Sequence, residues 1–560
     1  MAELATELTT DFSGGMVDSA APTAFPRTAV AELFNARLLP DGTAERRPGS
    51  IRLSTAALNA DTGYGGTYFR TAAGEDQLVV IFGANAYMSN DWGVTWSTAI
   101  ATGLRTDYYS FATMRVGATN YLYAANGDTT VKQWDGTTWT TLSNAPSGVK
   151  FLAVFNGRLY ATGHSGVLVQ ASKIADPTTW AAPDGLTVQI IASSGNVPTG
   201  LFQIGPHLLV FDRHATSYID GFGEQTILVA TGATGFSRSV GCVGFRTVAA
   251  VGDNAVCWLS ERGVEYYSPS TGIIALSDSV QRFFAGLDLA ELYANPGRMS
   301  AAYDEIDQNY YLALSTTGVR NDRIVVMNLL QQAQYQRKGP RGAPSVDTYT
   351  TLSADLLFAA DADNYLTVDA AGGALDSDAS GYATVGAVGA AGGDPVTEDA
   401  DNYLVSDTAD TLPATLFTAP TATRSSVLYS LGYDGFVRRH YGVNTDDQLA
   451  AGTGGTAVTM TLLSRPFLFG RVRNRKRARI LHVASIQAAA ATLTVRVVGN
   501  GTGDAQTLTM PITVTDKAYR HRARVKFDDD APQVKITTTD STRISLVGLS
   551  AEVLRDGLGA

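Results

Sequence analysis

Cysteine is nearly absent from this chain: Cys242 and Cys257 serve 560 positions. Two thiols cannot build a disulfide framework, and their spacing fits no zinc site. They are expected as buried thiols in a protein made in a reducing compartment. Charge is sparse too, at 17% of residues. No stretch approaches the ~18 apolar residues of a membrane span. Residues 2–12 carry two glutamates, an aspartate and no apolar core of a secretory signal, so a soluble chain without membrane insertion is expected. The six histidines are scattered, with no His-x-x-x-His or Glu-x-x-His pair. Phosphate-cradling Gly-x-x-x-x-Gly-Lys-[Ser/Thr] and nucleophile-bearing Gly-x-Ser-x-Gly patterns are missing as well. Neither metal, cofactor, nucleotide nor hydrolase chemistry finds its residues, and the expectation is a protein that is not an enzyme.

Apolar residues, by contrast, make up 45% of the chain, and glycine is plentiful at 56 positions. The apolar residues come in short runs broken by Gly, Asn, Asp and Thr. That is the pattern of many short strands, so the fold class is all-β.

The sharpest local signal is Ser89-Asn90-Asp91-Trp92-Gly93-Val94-Thr95-Trp96. It reads S-x-D-x-G-x-T-W, the Asp box. The physics suits a tight turn between strands. Asp91 accepts from backbone N–H groups, Gly93 takes positive φ, and Trp96 returns toward the core. Ser89, Asp91, Gly93 and Trp96 are therefore structural candidates. Such boxes resemble turns in the blades of sialidase-like β-propellers, but the Arg-Ile-Pro signature of those glycosidases is missing.

From about residue 64 to 350 a unit of strand, turn, strand and polar Trp- or Tyr-bearing loop recurs every 35–50 residues or so, the period of four-stranded propeller blades. Leu78–Phe82, Tyr121–Ala124, Phe151–Phe155, Leu208–Phe211, Ala255–Leu259 and Tyr310–Leu314 are its apolar strands. A propeller of six to eight blades over 64–455 is expected. Residues 1–63 read as an N-terminal extended arm, with a short helical turn at Ala29–Arg37. Residues 342–423 hold no Lys or Arg and 13 Asp+Glu. Within them Asp361-Ala362-Asp363-Asn364-Tyr365-Leu366 recurs as Asp399-Ala400-Asp401-Asn402-Tyr403-Leu404. Glycine and glutamate are missing from the positions an EF-hand needs, so an inserted acidic hairpin region, about 358–424, is the reading rather than a calcium loop. Seven short strands over 456–560, such as the alternating Leu493-Thr494-Val495-Arg496-Val497, suggest a C-terminal β-sandwich.

Charge divides the chain. Residues 456–560 carry 16 Lys+Arg against 8 Asp+Glu, which leaves 26 against 45 for the rest, or +8 against −19. Two runs supply most of the excess: Arg471, Arg473, Arg475, Lys476, Arg477 and Arg479, then Arg520, Arg522, Arg524 and Lys526. They lack the interleaved aromatics expected for base stacking. An acidic protein partner is therefore favoured over nucleic acid, and another copy of this chain supplies the acid.

Both ends carry a family resemblance. Phe12-Ser13-Gly14-Gly15-Met16, Pro26-Arg27, Glu32-Leu33-Phe34-Asn35-Ala36-Arg37, Leu39-Pro40-Asp41-Gly42 and Arg46-Arg47-Pro48-Gly49 resemble the opening of tail nozzle (tail tubular) proteins of short-tailed bacteriophages. Tyr433-Asp434-Gly435-Phe436-Val437, Arg465-Pro466-Phe467 and the final Ile-Ser-Leu-Val-Gly-Leu strand are similar to the end of such β-propeller virion proteins. The resemblance implies a structural protein of the virion tail, made in the host cytoplasm. It implies a homohexameric ring below the portal and adaptor, touching head–tail adaptor and tail fibre proteins, with double-stranded DNA passing through. It brings no catalytic residues. The alternative is a receptor-binding tail fibre or spike whose propeller holds host glycans.

Overall fold

The computed structural model describes residues 3–9, 12–18, 26–189, 197–220, 240–329 and 413–555 apart from short breaks, with strand pieces at 354–359, 397–398 and 404–405. Strands dominate, and two short α-helices, Gln281–Ala285 and Leu289–Ala294, lie between the fifth and sixth sheets.

Among the described residues, seven of nine sheets follow one another along the chain. Their first strands are Gly63–Arg70, Ser110–Val116, Phe151–Phe155, Gly200–Ile204, Ala249–Val251, Ser300–Asp304 and Pro413–Ala419. Within each sheet the next strands pair antiparallel in sequence order. Around a circuit, neighbouring first strands touch in every step but that from the fourth sheet to the fifth, and Pro413–Ala419 of the seventh sheet meets Gly63–Arg70 of the first. The fourth and fifth sheets meet through Ile204, Leu209, Phe211, Val256 and Trp258. The fold is all-β and β-propeller-like.

The second strands show why these sequences choose this arrangement. Leu78, Val79, Val80, Ile81 and Phe82 are all fully buried. A sheet covered by neighbours on both faces needs apolar residues at every position, so the run does not alternate. Where the circuit closes, the Phe417 ring packs directly on the Gly66 backbone: a Cβ on Gly66 would lie 2.5 Å from Phe417 Cε1.

The seventh sheet runs Pro413–Ala419, Val427–Gly432, Val437–His440 and then Ile51–Arg52. Its fourth strand thus comes from the other end of the chain, with Ile51 opposite Arg439 and Arg52 opposite Arg438. Leu53 N donates to Val437 O at 2.9 Å and Leu58 N to Gly435 O at 3.0 Å. N-terminal residues also enter two larger sheets. Gly15–Met16 and Ala29–Phe34 lie between Ala354–Ala359 of the sixth sheet and Met460–Ser464, making one ten-stranded sheet that ends on Gln533–Thr538, Ala491–Val498 and Ala505–Ile512. Ala36–Leu38 and Ala44–Arg46 join Ile544–Arg555, Lys476–Gln487 and Tyr519–Asp529 in a six-stranded sheet, with Glu3–Thr9 paired to Ile544–Arg555. One core of Phe34, Leu312, Val325, Leu462, Leu481 and Val495 runs through both.

Three sequence readings change. The described strands within 1–63 are woven into three sheets and do not form an extended arm. Ala29–Phe34 is a strand rather than a helical turn. Partners on both sides, Gly15–Met16 and Met460–Ser464, take its backbone groups, and that outweighs a weak local helix preference. The insertion is also narrower than 358–424. Ala354–Ala359 completes the sixth sheet, and Pro413–Ala419 is the first strand of the seventh. Within it, Thr397–Glu398 pairs antiparallel with Leu404–Val405 across the second Asp-x-Asp-Asn copy. The first copy lies outside the described residues.

Candidate functional site

The Asp box closes the first sheet after its third strand, Asn85–Ser89. Ser89 Oγ donates to Asp91 Oδ1 at 2.7 Å and accepts from Gly93 N at 2.8 Å. Thr95 N donates to Asp91 Oδ1 at 2.8 Å, and Thr95 Oγ1 donates to Asp91 Oδ2. Burial works to raise the Asp91 pKa, but the bonds from Thr95 and Ser89 outweigh it and hold the carboxyl below its usual range. Gly93 sits at φ 92°, where a side chain is strained. A Cβ there would also lie 2.6 Å from Leu53 Cδ1. Trp96 packs on the cluster of Ile51, Leu53, Leu78 and Tyr87. The box therefore rests on the same N-terminal segment that completes the seventh sheet.

The next two sheets repeat the device. Between Lys132–Trp134 and Trp139–Thr141, Asp135 Oδ1 accepts from Thr137 N at 2.8 Å and Thr138 N at 2.7 Å. In the third sheet, Asp176 Oδ1 accepts from Thr178 N at 3.1 Å and Oδ2 from Thr179 Oγ1 at 2.9 Å. Trp180 Nε1 donates to Pro177 O at 2.6 Å. For Asp135 burial is again outweighed, by Thr138 and Thr137; for Asp176 the Thr178 hydroxyl is the leading cause. Both carboxyls are held low. These aspartates brace turns.

The two basic runs, separated by some forty residues of sequence, meet on paired strands. Lys476, Arg477 and Arg479 lie on Lys476–Gln487; Arg520, Arg522, Arg524 and Lys526 lie on Tyr519–Asp529. The strands pair antiparallel, with His482 opposite Arg522 and Ile480 opposite Arg524. Tyr519–Asp529 is the edge of its sheet. Arg522 and Arg524 are exposed, whereas His521 and Val525 are buried. The register also sets Asp529 opposite Lys476 and Asp528 opposite Arg477. Arg471, Arg473 and Arg475 fall outside the described residues.

One feature left no sequence signal. A cleft of ≈ 440 Å³ is walled by 65–66, 109–113, 152–154, 201–203, 245–246, 248, 300 and 415–416. Every one of the seven sheets contributes at or beside its first strand. Arg246 reaches it from the short turn Phe245–Thr247, which Tyr310 pins by donating its hydroxyl to Thr247 O at 2.6 Å. Arg246 Nη1 donates to Gly297 O at 2.6 Å and more weakly to Ala414 O at 3.5 Å; Nη2 donates to the Thr415 hydroxyl. Thr415 Oγ1 in turn donates to Gly63 O at 2.7 Å. The guanidinium carbon lies 4.5 Å over the Tyr108 ring. Burial pulls the Arg246 pKa down to about 10. This arginine ties the segment before the fifth sheet to the loop that leads into the sixth and to the seventh sheet, and Thr415 carries the link on to the first. No spacing or motif marks a lone Gly-Phe-Arg-Thr as an axial group.

Cys242 and Cys257 are buried free thiols, and burial raises both pKa values, that of Cys242 to about 12. Among the described residues no group of three or more His, Cys, Asp and Glu is placed to hold a metal ion. No helix of the described residues is long and apolar enough to cross a membrane.

No family model matches the chain, and no curated protein is similar to it. Solved structures similar to it include a chain of the mitotic checkpoint complex, at 11% identity and a TM-score of 0.38, covering 71% of this chain and 94% of that one. Another is the extracellular domain of a one component system of B. thetaiotaomicron, at 8% identity and a TM-score of 0.38, covering 83% of this chain and 46% of that one. Neither likeness bears on what this chain does.

Proposed function

We propose that this chain is a structural virion protein: the tail nozzle, or distal tail tube, of a short-tailed bacteriophage. Copies form a ring, with six as the expected number, below the portal and adaptor. The ring carries tail fibres and lets double-stranded DNA leave. In this reading the C-terminal strands build a β-sandwich that carries assembly contacts, and the acidic insertion projects as hairpins.

The observation that carries the proposal is the edge strand Tyr519–Asp529. It presents Arg522 and Arg524 to solvent, beside a second basic strand. The body of the chain is acidic, so a neighbouring copy is the natural complement. Individual exposed ion pairs contribute only about 0–1 kcal/mol, but a ring repeats the contact at every interface and adds steering. The acidic excess also suits a DNA conduit, because a surface that repels phosphate lets the duplex slide. The segments that carry the family resemblance are load-sharing neighbours in this fold. Arg47 Nε donates to Asn35 Oδ1 at 2.9 Å, and Asn35 Nδ2 donates to Thr459 O at 2.9 Å.

Native mass spectrometry and negative-stain imaging of the purified chain test this reading. Rings of six copies are expected, and the double variant Arg522→Glu/Arg524→Glu is expected to remain a folded monomer. Trimers point instead to a receptor-binding spike. A monomer at all concentrations and ionic strengths overturns the ring.

A further inference from the structure

We propose that the axial cleft is a binding site for a small organic carboxylate with an apolar or aromatic body, received by the Arg246 guanidinium. The site is independent of the ring assembly. Three observations lead there.

The first is an uncompensated charge. The Arg246 side chain is buried, and each of its hydrogen-bond acceptors is neutral: two backbone carbonyls and a hydroxyl. Among the described residues no carboxylate forms an ion pair with it. Asp107 acts on it only at longer range. Removing a cation from water without a counter-charge is expensive, and an anion delivered to it recovers part of that expense.

The second is that the charge has access to space. Arg246 is itself part of the wall of the ≈ 440 Å³ cleft. That volume falls within the range of small-molecule sites. Gly297 and Ala414 occupy Nη1 and Thr415 takes one N–H of Nη2, which fixes the guanidinium; among the described residues no acceptor takes Nε–H or the second N–H of Nη2, and that edge is the fork left to receive an oxygen pair.

The third is the chemistry of the remaining wall. Phe111, Phe202 and Phe245 offer apolar faces, while Thr113 and Gln203 are exposed polar groups of the same cleft. One cation, aromatic walls and a few neutral polar groups match a monocarboxylate. A phosphate, with more charge, calls for more than one cation.

Benzoate is the probe and benzamide its neutral twin, titrated calorimetrically into the full-length protein. Benzoate is expected to bind with a Kd of about 1 mM or tighter, and benzamide at least about tenfold more weakly. Arg246→Met is expected to abolish benzoate binding. Because Arg246 also ties sheets together, that variant can fail to fold. Thr113→Trp therefore serves as an independent block: the residue is exposed in the cleft and takes no part in the arginine's hydrogen bonds. It is expected to abolish binding with an unchanged melting temperature. Absence of benzoate binding up to about 10 mM overturns the site. So does equal binding of benzamide, or unchanged binding in a folded Thr113→Trp protein. None of these outcomes depends on how many copies assemble.

Discussion

The first three sheets and the seventh are completed in opposite ways. In the first three, the turn after the third strand is held by an aspartate bonded to groups two to four residues away, such as Asp91 to Thr95 or Asp135 to Thr137. In the seventh, the missing strand is Ile51–Arg52, which is some 390 residues from its partner Val437–His440. The bonds that reinforce that seam are as remote: Asn35 to Thr459 spans 424 positions, and Arg46 to Val458 spans 412. Local closure stabilises one sheet at a time. Remote closure stabilises the circuit and the C-terminal strands together, so damage there is expected to spread.

The largest effect follows from breaking the seam itself. Ile51 is buried at the point where the N-terminal strand meets the seventh sheet. Ile51→Asp leaves an unpaired carboxylate there and is expected to cost about 3–5 kcal/mol. Calorimetry is expected to show a lower, broadened transition; an unchanged one means that 51–52 does not close the circuit.

A smaller effect is expected one step from the seam. Asn35 holds Arg47 and Thr459 and sits at φ 48°. Asn35→Ala loses both bonds and strains the backbone, for about 2–4 kcal/mol. Asn35→Gly loses only the bonds, so it should be about 1 kcal/mol milder. Equal denaturant midpoints for the two variants would remove the backbone contribution.

The local closures give the smallest effects and the cleanest additivity. Asp91→Ala is expected to destabilise by about 1–2 kcal/mol. Asp135→Ala and Asp176→Ala, at more exposed turns, should do less. The three turns share no partners, so the triple variant should match the sum within about 0.5 kcal/mol. Acid adds a second reading of the same turns. All three carboxyls have folded-state pKa values below the usual 3.8. Their stabilisation is therefore fully present above that value and is lost as pH falls through the folded values. Wild type should lose more stability below pH 3.8 than the triple variant does.

The same contrast explains what the sequence reveals. Local rules are written in neighbouring residues. The alternating Leu493-Thr494-Val495-Arg496-Val497 lies within the strand Ala491–Val498, its apolar residues buried and its polar ones exposed. The Asp box, too, predicts its own bonds. Remote pairing has no such trace. Ala29–Phe34 has the composition of a helical turn until Met460–Ser464 lies beside it, and nothing near Ile51 announces Val437–His440. The edges of the acidic insertion shift for the same reason: Ala354–Ala359 and Pro413–Ala419 belong to sheets whose other strands lie elsewhere in the chain. Arg246 is the extreme case, because its neighbours come from sheets that only the closed circuit brings together. The basic runs are half legible. Their charge is plain in the sequence, but their adjacency depends on the register of Lys476–Gln487 with Tyr519–Asp529.

The remote seam also sets an order of events on the ribosome. The first sixty residues emerge first, yet their strand partners at 354–359, 437–440, 460–464 and 544–555 emerge only hundreds of residues later. The early sheets, braced by their own turns, can form while synthesis continues. The N-terminal strands must wait, with unpaired edges, for hundreds of residues to follow. Open strand edges on a partly made chain invite pairing with other chains. Crowded polysomes therefore expose this protein to mispairing just where its finished form is most tightly joined, and slower initiation should raise its soluble yield.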